Sequence, residues 1–190
     1  MRPSEVIRLF RACGAWLEGH FLLSSGLHSH EYLQCAVVQQ YPTLTSRLCE
    51  ALAERFAGDD VTCVASPALG AVVVGYETAR HLGSRAVFAE RENGVWRFRR
   101  GFQIGPKDRV LVTEDIVTTG GSVEELITLI QNAGATVVGV GALVDRSGGW
   151  VSFEVKCHAL LSVNLKTFSP DSCPLCTEGV PLVKPGSRGL

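Results

Sequence analysis

The chain has 190 residues, 46% of them hydrophobic and 19% charged, and its 18 Lys and Arg against 19 Asp and Glu leave a formal net charge of -1. That length and apolar share fit one domain with a substantial core. Near neutrality excludes the basic excess that nucleic acid or an anionic membrane surface requires, so neither is expected as a partner.

No apolar run is long enough to span a bilayer. The amino terminus carries Glu5, Arg8 and Arg11 through its apolar positions and reads as an amphipathic helix, not a signal peptide. Ser4 caps that helix, which is predicted to run to about Leu17. His20 to Leu23 and Tyr32 to Gln34 then flank a polar turn, Ser24-Ser25-Gly26-Leu27-His28-Ser29. Pro42 suits the first turn of a second helix with Leu44, Leu48, Leu52 and Phe56 on one face, stopped by Gly58-Asp59-Asp60. An α/β rhythm follows. Strands are predicted over 61–65, 85–89, 109–113 and 136–143, and helices over 68–81, closed by Gly83, and 122–132, closed by Gly134. Short apolar strands alternating with helices imply a mostly parallel central sheet flanked by helices. Glu90 to Phe102, rich in Trp, Phe and Arg, forms either a hairpin or a loop. The stretch from Cys173 to Leu190, with its Pro and Gly, reads as an ordered tail.

Seven cysteines, an odd number, are scattered at positions 13, 35, 49, 63, 157, 173 and 176, several within apolar runs. This pattern implies reduced thiols and a cytoplasmic chain with no disulfide framework. Cys173 and Cys176 form a CxxC pair. One such pair offers two metal ligands where structural zinc needs four. Cys157 and His158 would complete a set only if the tail folded back, so a packed thiol pair ranks ahead of zinc, and a redox pair last. Three histidines, His20, His28 and His30, lie near the polar turn and receive no catalytic role.

The strongest chemical signal is Val110 to Ser122, VLVTEDIVTTGGS. An apolar strand ends in Glu114 and Asp115, and Thr118-Thr119-Gly120-Gly121-Ser122 leads into a helix. Backbone N–H groups at a helix start favour a phosphate, glycines allow close approach, and the hydroxyls of Thr118, Thr119 and Ser122 add donors. Two acids would repel a phosphate they touched. Beside it, they accept hydrogen bonds from sugar hydroxyls. A phosphate site next to a diol site describes a ribose 5-phosphate. Read simply as structure, the same residues are a strand, turn and capped helix with two exposed acids.

VTEDIVTTGGS resembles the phosphoribosyl pyrophosphate signature of type I phosphoribosyltransferases. Over nearly the whole chain the similarity is to the orotate phosphoribosyltransferase family. It is carried by Phe21-Leu22-Leu23-Ser24-Ser25-Gly26 with Ser29 and Tyr32, by Asp145-Arg146-Ser147-Gly148-Gly149, and by Cys173-Pro174-Leu175-Cys176 through Gly179, Pro181 and Lys184-Pro185-Gly186-Ser187-Arg188. The resemblance implies one type I domain over residues 1–190, with a hood made by about residues 1–40 and the tail. It implies transfer of ribose 5-phosphate from phosphoribosyl pyrophosphate to orotate, giving orotidine 5′-monophosphate in pyrimidine synthesis. Mg2+ is implied on the pyrophosphate rather than on protein ligands, as is a homodimer that contributes a loop across its interface.

By the same resemblance, Glu114 and Asp115 hold the ribose hydroxyls, and Ile116 and Val117 with Thr118 to Ser122 surround the 5-phosphate. Ser24, Ser25, Gly26, Tyr32, Thr118 and Arg146 form the orotate pocket, with the Arg146 guanidinium on the carboxylate or a ring carbonyl. Arg91, Arg97 and Arg99, with Arg100 as a further candidate, replace the family's basic loop at the pyrophosphate; Arg91 joins the two acids as catalytic. On a strand, Arg97 and Arg99 share one face and Trp96, Phe98 and Arg100 the other. Three departures stand out. Ser24 and Leu69 occupy positions where the family often has Lys, and the basic loop is short and holds only Arg. Two other readings are a transferase for another base and a non-catalytic sensor of phosphoribosyl pyrophosphate. A sensor would be expected to carry a DNA-binding extension or a basic surface, and neither is visible.

Overall fold

The computed structural model describes residues 1–23 and 25–185. Predicted site residue Ser24 and the motif residues Gly186, Ser187 and Arg188 lie outside the described residues. The amino-terminal helix α1 (Pro3–Ala12) is shorter than expected. Gly14, at φ +74°, turns the chain out of the helix. The N–H of Ala15 returns to the Phe10 carbonyl at 2.8 Å, a left-handed close that frees Trp16 for extended backbone. Strands β1 (Trp16–Leu22) and β2 (His28–Leu33) form an antiparallel hairpin, and β9 (Thr167–Phe168) adds to its second strand. Val183 bridges Phe21 on the open side of β1, so the tail flanks this small sheet.

The main sheet has the order β5-β4-β3-β6-β7-β8. Its strands are β3 (Cys63–Pro67), β4 (Arg85–Glu92), β5 (Val95–Phe98), β6 (Arg109–Val117), β7 (Thr136–Asp145) and β8 (Cys157–Ser162). All pairings are parallel except the β4–β5 hairpin. Strand β8 was not predicted, because its sequence, Cys157-His158-Ala159-Leu160-Leu161-Ser162, has no turn signal to set it off. The segment from Glu90 to Phe102 resolves in favour of the hairpin.

Apolar runs become central strands because both faces are covered. After the short α2 (Cys35–Gln39), helices α3 (Pro42–Ala53) and α4 (Val72–Leu82) share one core with Val64, Leu111 and Leu143. Phe56 belongs to this core too, but from a 3-10 turn after α3 rather than from the helix itself. On the other face, Val123, Leu126 and Ile130 of α5 (Gly121–Asn132) pack with Ala65, Val110, Val112, Val140 and Ala142. Gly75 of α4 sits where a Cβ would lie 2.1 Å from the Ser66 hydroxyl oxygen, so this helix rides directly on the sheet. Helix α4 starts at Val72, four residues later than predicted, leaving residues 68–71 as a loop beyond β3.

The connections set the location of the site. From β3 the chain passes through α4 to β4 on one side; from β6 it passes through α5 to β7 on the other. The carboxyl ends of β3 and β6 therefore flank a topological switch point, where open α/β sheets bind ligands.

Candidate active site at the switch point

Strand β6 runs four residues beyond its predicted end and includes both acids, pairing with β7 up to Val117 against Asp145. The two carboxylates consequently sit in the mouth of the sheet, not in a free loop. Each accepts a local backbone bond: Glu114 from the Asp115 N–H at 3.1 Å, Asp115 from the Ile116 N–H at 2.8 Å. Burial, and then the neighbouring Asp115, hold the Glu114 carboxyl well above the ordinary carboxylate range. Burial raises Asp115 as well, against the bonds that favour its charged form. Gly70 in the β3–α4 loop approaches this acid so closely that an added Cβ would be 3.1 Å from Asp115 Oδ2.

Past the acids, residues 116–123 and Glu114 line a small hollow of about 50 Å³. Gly120 caps α5 at φ +79° with no side-chain cap bond, which leaves the first-turn N–H groups to an outside acceptor. The glycine is needed twice over, for that backbone angle and because a Cβ would lie 2.7 Å from Val151 Cγ1. Larger hollows occur elsewhere, such as one of about 600 Å³ between residues 85–87 and 101–105. They bring together none of these residues.

Arg146 follows β7, and its N–H bonds the Val117 carbonyl at 2.8 Å, fixing it beside the end of β6. The side chain is half-buried, and Nε has no hydrogen-bond partner among the described residues. Burial pulls its proton affinity below the ordinary arginine level, opposed by Tyr32 and Cys35, which places these three groups together. Burial also raises the Tyr32 hydroxyl, with Arg146 opposing. Cys35, whose thiol donates to the Asp115 carbonyl, links this group to the acids and had no role in the sequence reading. Ser25 and Gly26 lie in the β1–β2 turn, with Gly26 at φ +81° and the Ser25 hydroxyl accepting from the Leu27 N–H.

The arginines of the β4–β5 hairpin separate. Arg91 lies over the Trp96 ring and pairs with Glu125 of α5 at 3.1 Å. Arg97 and Arg99 both turn to Glu92, as expected for one shared face. Arg100 departs from the expected alternation. Strand β5 ends at Phe98, Arg100 has φ +55°, and its guanidinium turns to Glu90, the residue opposite Arg97. Within one chain, Arg91 and the Arg97–Arg99 pair thus occupy opposite faces of the hairpin.

Two half-buried acids at a strand end, with an uncapped helix start and a crossing point beside them, make an arrangement that can accept a phosphorylated sugar. The phosphoribosyl transferase domain family matches residues 42–169. An orotate phosphoribosyltransferase of Pelotomaculum thermopropionicum is 52% identical over 190 residues, covering 100% of both chains. One from Desulforamulus reducens is likewise 52% identical over 190 residues, with 100% of both covered. Among solved structures, orotate phosphoribosyltransferase from Aeropyrum pernix shares the fold at a TM-score of 0.73 with 24% identity, over 83% of this chain and 93% of that one. The chain belongs to the orotate phosphoribosyltransferase family.

Proposed function

We propose that the protein transfers ribose 5-phosphate from phosphoribosyl pyrophosphate to orotate, releasing pyrophosphate. The observation that carries the choice of acceptor is Arg146: a half-buried guanidinium whose Nε has no partner among the described residues, beside Tyr32 and Cys35, the latter bonded to the Asp115 carbonyl, suits a base that bears its own carboxylate. In this reading the 5-phosphate takes the α5 start and the hydroxyls of Thr118, Thr119 and Ser122. Glu114 and Asp115 accept from the ribose 2- and 3-hydroxyls and, once ionised, favour the cationic character of the breaking anomeric bond. Ser25 and Gly26, with Tyr32 and Arg146, orient orotate on the opposite face. Most of the rate then comes from positioning and preorganised charge, with no protein nucleophile.

The residues fit Mg2+ arriving with the diphosphate: two half-buried carboxylates stand at the strand end with no basic partner in bonding distance among the described residues. Mg2+ favours one or two carboxylates plus substrate oxygens and water, and would neutralise charge on the leaving pyrophosphate. Arg91 and one of Arg97 and Arg99 serve the pyrophosphate end. Their present carboxylate partners are exposed ion pairs, individually worth about 0–1 kcal/mol, so exchanging them for a ligand costs little.

Leu69, Val73 and Tyr76 are 85%, 45% and 65% exposed along the β3–α4 loop and the outer face of α4. Such a stripe beside the site supports a homodimer closing there. Seven free cysteines favour a reducing cytoplasm, and among the described residues no helix is long and apolar enough to cross a membrane. The deciding measurement is the fall in orotate absorbance with phosphoribosyl pyrophosphate and Mg2+. Absence of turnover in folded protein, or selective turnover of a purine, would refute the proposal.

A further inference from the structure

The CxxC pair finds its partners in the small sheet, not at Cys157 and His158. His20 on β1, His28 on β2, and Cys173 and Cys176 around the short helix α6 (Pro174–Thr177) bring their ligand atoms within 4.8 Å of one another. Cys157 and His158 instead lie on β8, where His158 packs edge-on to Phe56. Cys173, His20 and His28 are only 1%, 2% and 4% exposed.

Four of the six separations are close to those of one coordination sphere, and the widest pair closes from 4.8 Å when an ion draws the ligands in. A tetrahedral zinc, with Zn–N of about 2.0 Å and Zn–S of about 2.3 Å, sets N···S distances near 3.5 Å and N···N near 3.3 Å. Here Cys173 Sγ and Cys176 Sγ lie 3.5 and 3.7 Å from His20 Nε2, and Cys176 Sγ is 3.3 Å from His28 Nδ1. The two imidazole nitrogens are 2.9 Å apart, slightly closer than a bound ion would hold them. The tautomer also fits. His20 Nδ1 is 2.8 Å from the Val180 carbonyl, which can only accept, so Nδ1 carries the proton and Nε2 turns its lone pair to the cluster. A backbone carbonyl on the far nitrogen is the usual outer partner of a metal-bound histidine.

We propose that these four residues bind one Zn2+ as a closed structural site. Two thiolates and two neutral imidazoles, with no fifth ligand among the described residues, suit zinc, and four protein ligands leave no place for substrate. The ion ties the tail to the hairpin whose turn carries Ser25 and Gly26, and so fixes that turn from behind.

The test is metal analysis of the full chain purified without added zinc and dialysed against a weak chelator. We expect close to one zinc per chain in the wild type and in Cys157→Ser. We expect close to none in Cys176→Ser and in His28→Gln, with secondary structure retained. Cobalt loaded into the stripped wild type gives the visible bands of a tetrahedral thiolate centre, which both variants lack. Stripping zinc speeds amide exchange in residues 16–33 and 167–183 but not in β3 or β6, a readout independent of turnover. Wild-type protein with no tightly bound metal and no cobalt bands overturns the site, as does iron in place of zinc. A Cys173–Cys176 disulfide in freshly isolated protein, or zinc retained by Cys176→Ser, overturns it equally.

Discussion

Asp115 carries the sharpest consequence at the level of single residues. Its carboxylate is fixed by the Ile116 N–H and by the closeness of Gly70, so Asp115→Asn keeps the shape and removes the charge. We expect turnover to fall on the order of 100-fold, as for loss of one preorganised electrostatic group, with unchanged circular dichroism; near-wild-type turnover would remove it from the ribose. Glu114 yields a pH prediction. Its pKa is raised on folding, so folding favours the protonated form, and that contribution is lost as pH climbs from the ordinary value of 4.5 through the folded value. Glu114→Gln lifts this cost. The ligand-free variant should melt higher than wild type at neutral pH, the gap closing below about pH 4, while its turnover drops. A variant that melts lower at pH 7 would contradict the burial account. For Arg146→Ala we expect the KM for orotate to rise roughly tenfold or more, in line with ~1.5–3 kcal/mol for a charge-assisted hydrogen bond, with a smaller change for phosphoribosyl pyrophosphate. Equal changes in the two constants would place Arg146 elsewhere.

Glycines decide matters for whole elements. Gly75→Ala drives a methyl group into the Ser66 hydroxyl, 2.1 Å away, and toward Thr113 at 3.0 Å. Helix α4 must lift from the sheet, and we expect a loss of about 1–3 kcal/mol in chemical denaturation. The elements themselves were largely legible. Apolar runs gave β3, β4, β6 and β7, and the glycines at 83 and 134 placed the helix ends, because buried parallel strands and left-handed caps leave local marks. What failed was long-range. The amphipathic pattern of α1 continued through Trp16 and Leu17, yet Gly14 diverted them into a sheet whose partner is Leu33. Strand β8 is defined by β7 alone, and Arg100 by a backbone turn that no side-chain period reveals.

On the scale of the whole molecule, the two acids and the Thr118–Ser122 turn could be placed side by side from the sequence because they occupy consecutive positions. The Cys35–Asp115 contact, 80 residues apart, and the meeting of His20 with Cys173, 153 apart, were not. Spacing within a sequence says nothing about which loop a tail will reach. The same scale carries the dimer prediction. Tyr76→Glu places a charge in the exposed apolar stripe of α4, and light scattering should register a shift from dimer toward monomer. A wild-type chain that scatters as a monomer at working concentration would dispose of the interface.

The bridge between Phe21 and Val183 has a consequence in time. Proteins are made from the amino end at about 5–20 residues per second. The β1–β2 hairpin leaves the ribosome early, whereas Thr167, Cys173 and Val183, which complete its edges, come last. For on the order of ten seconds, each newborn copy has β6 synthesised while the segments that edge its hairpin are still to come. Ser25, Gly26 and Tyr32, assigned to the base, are therefore made long before the tail that braces their hairpin, and a chain stopped short of Thr167 would carry them without that brace.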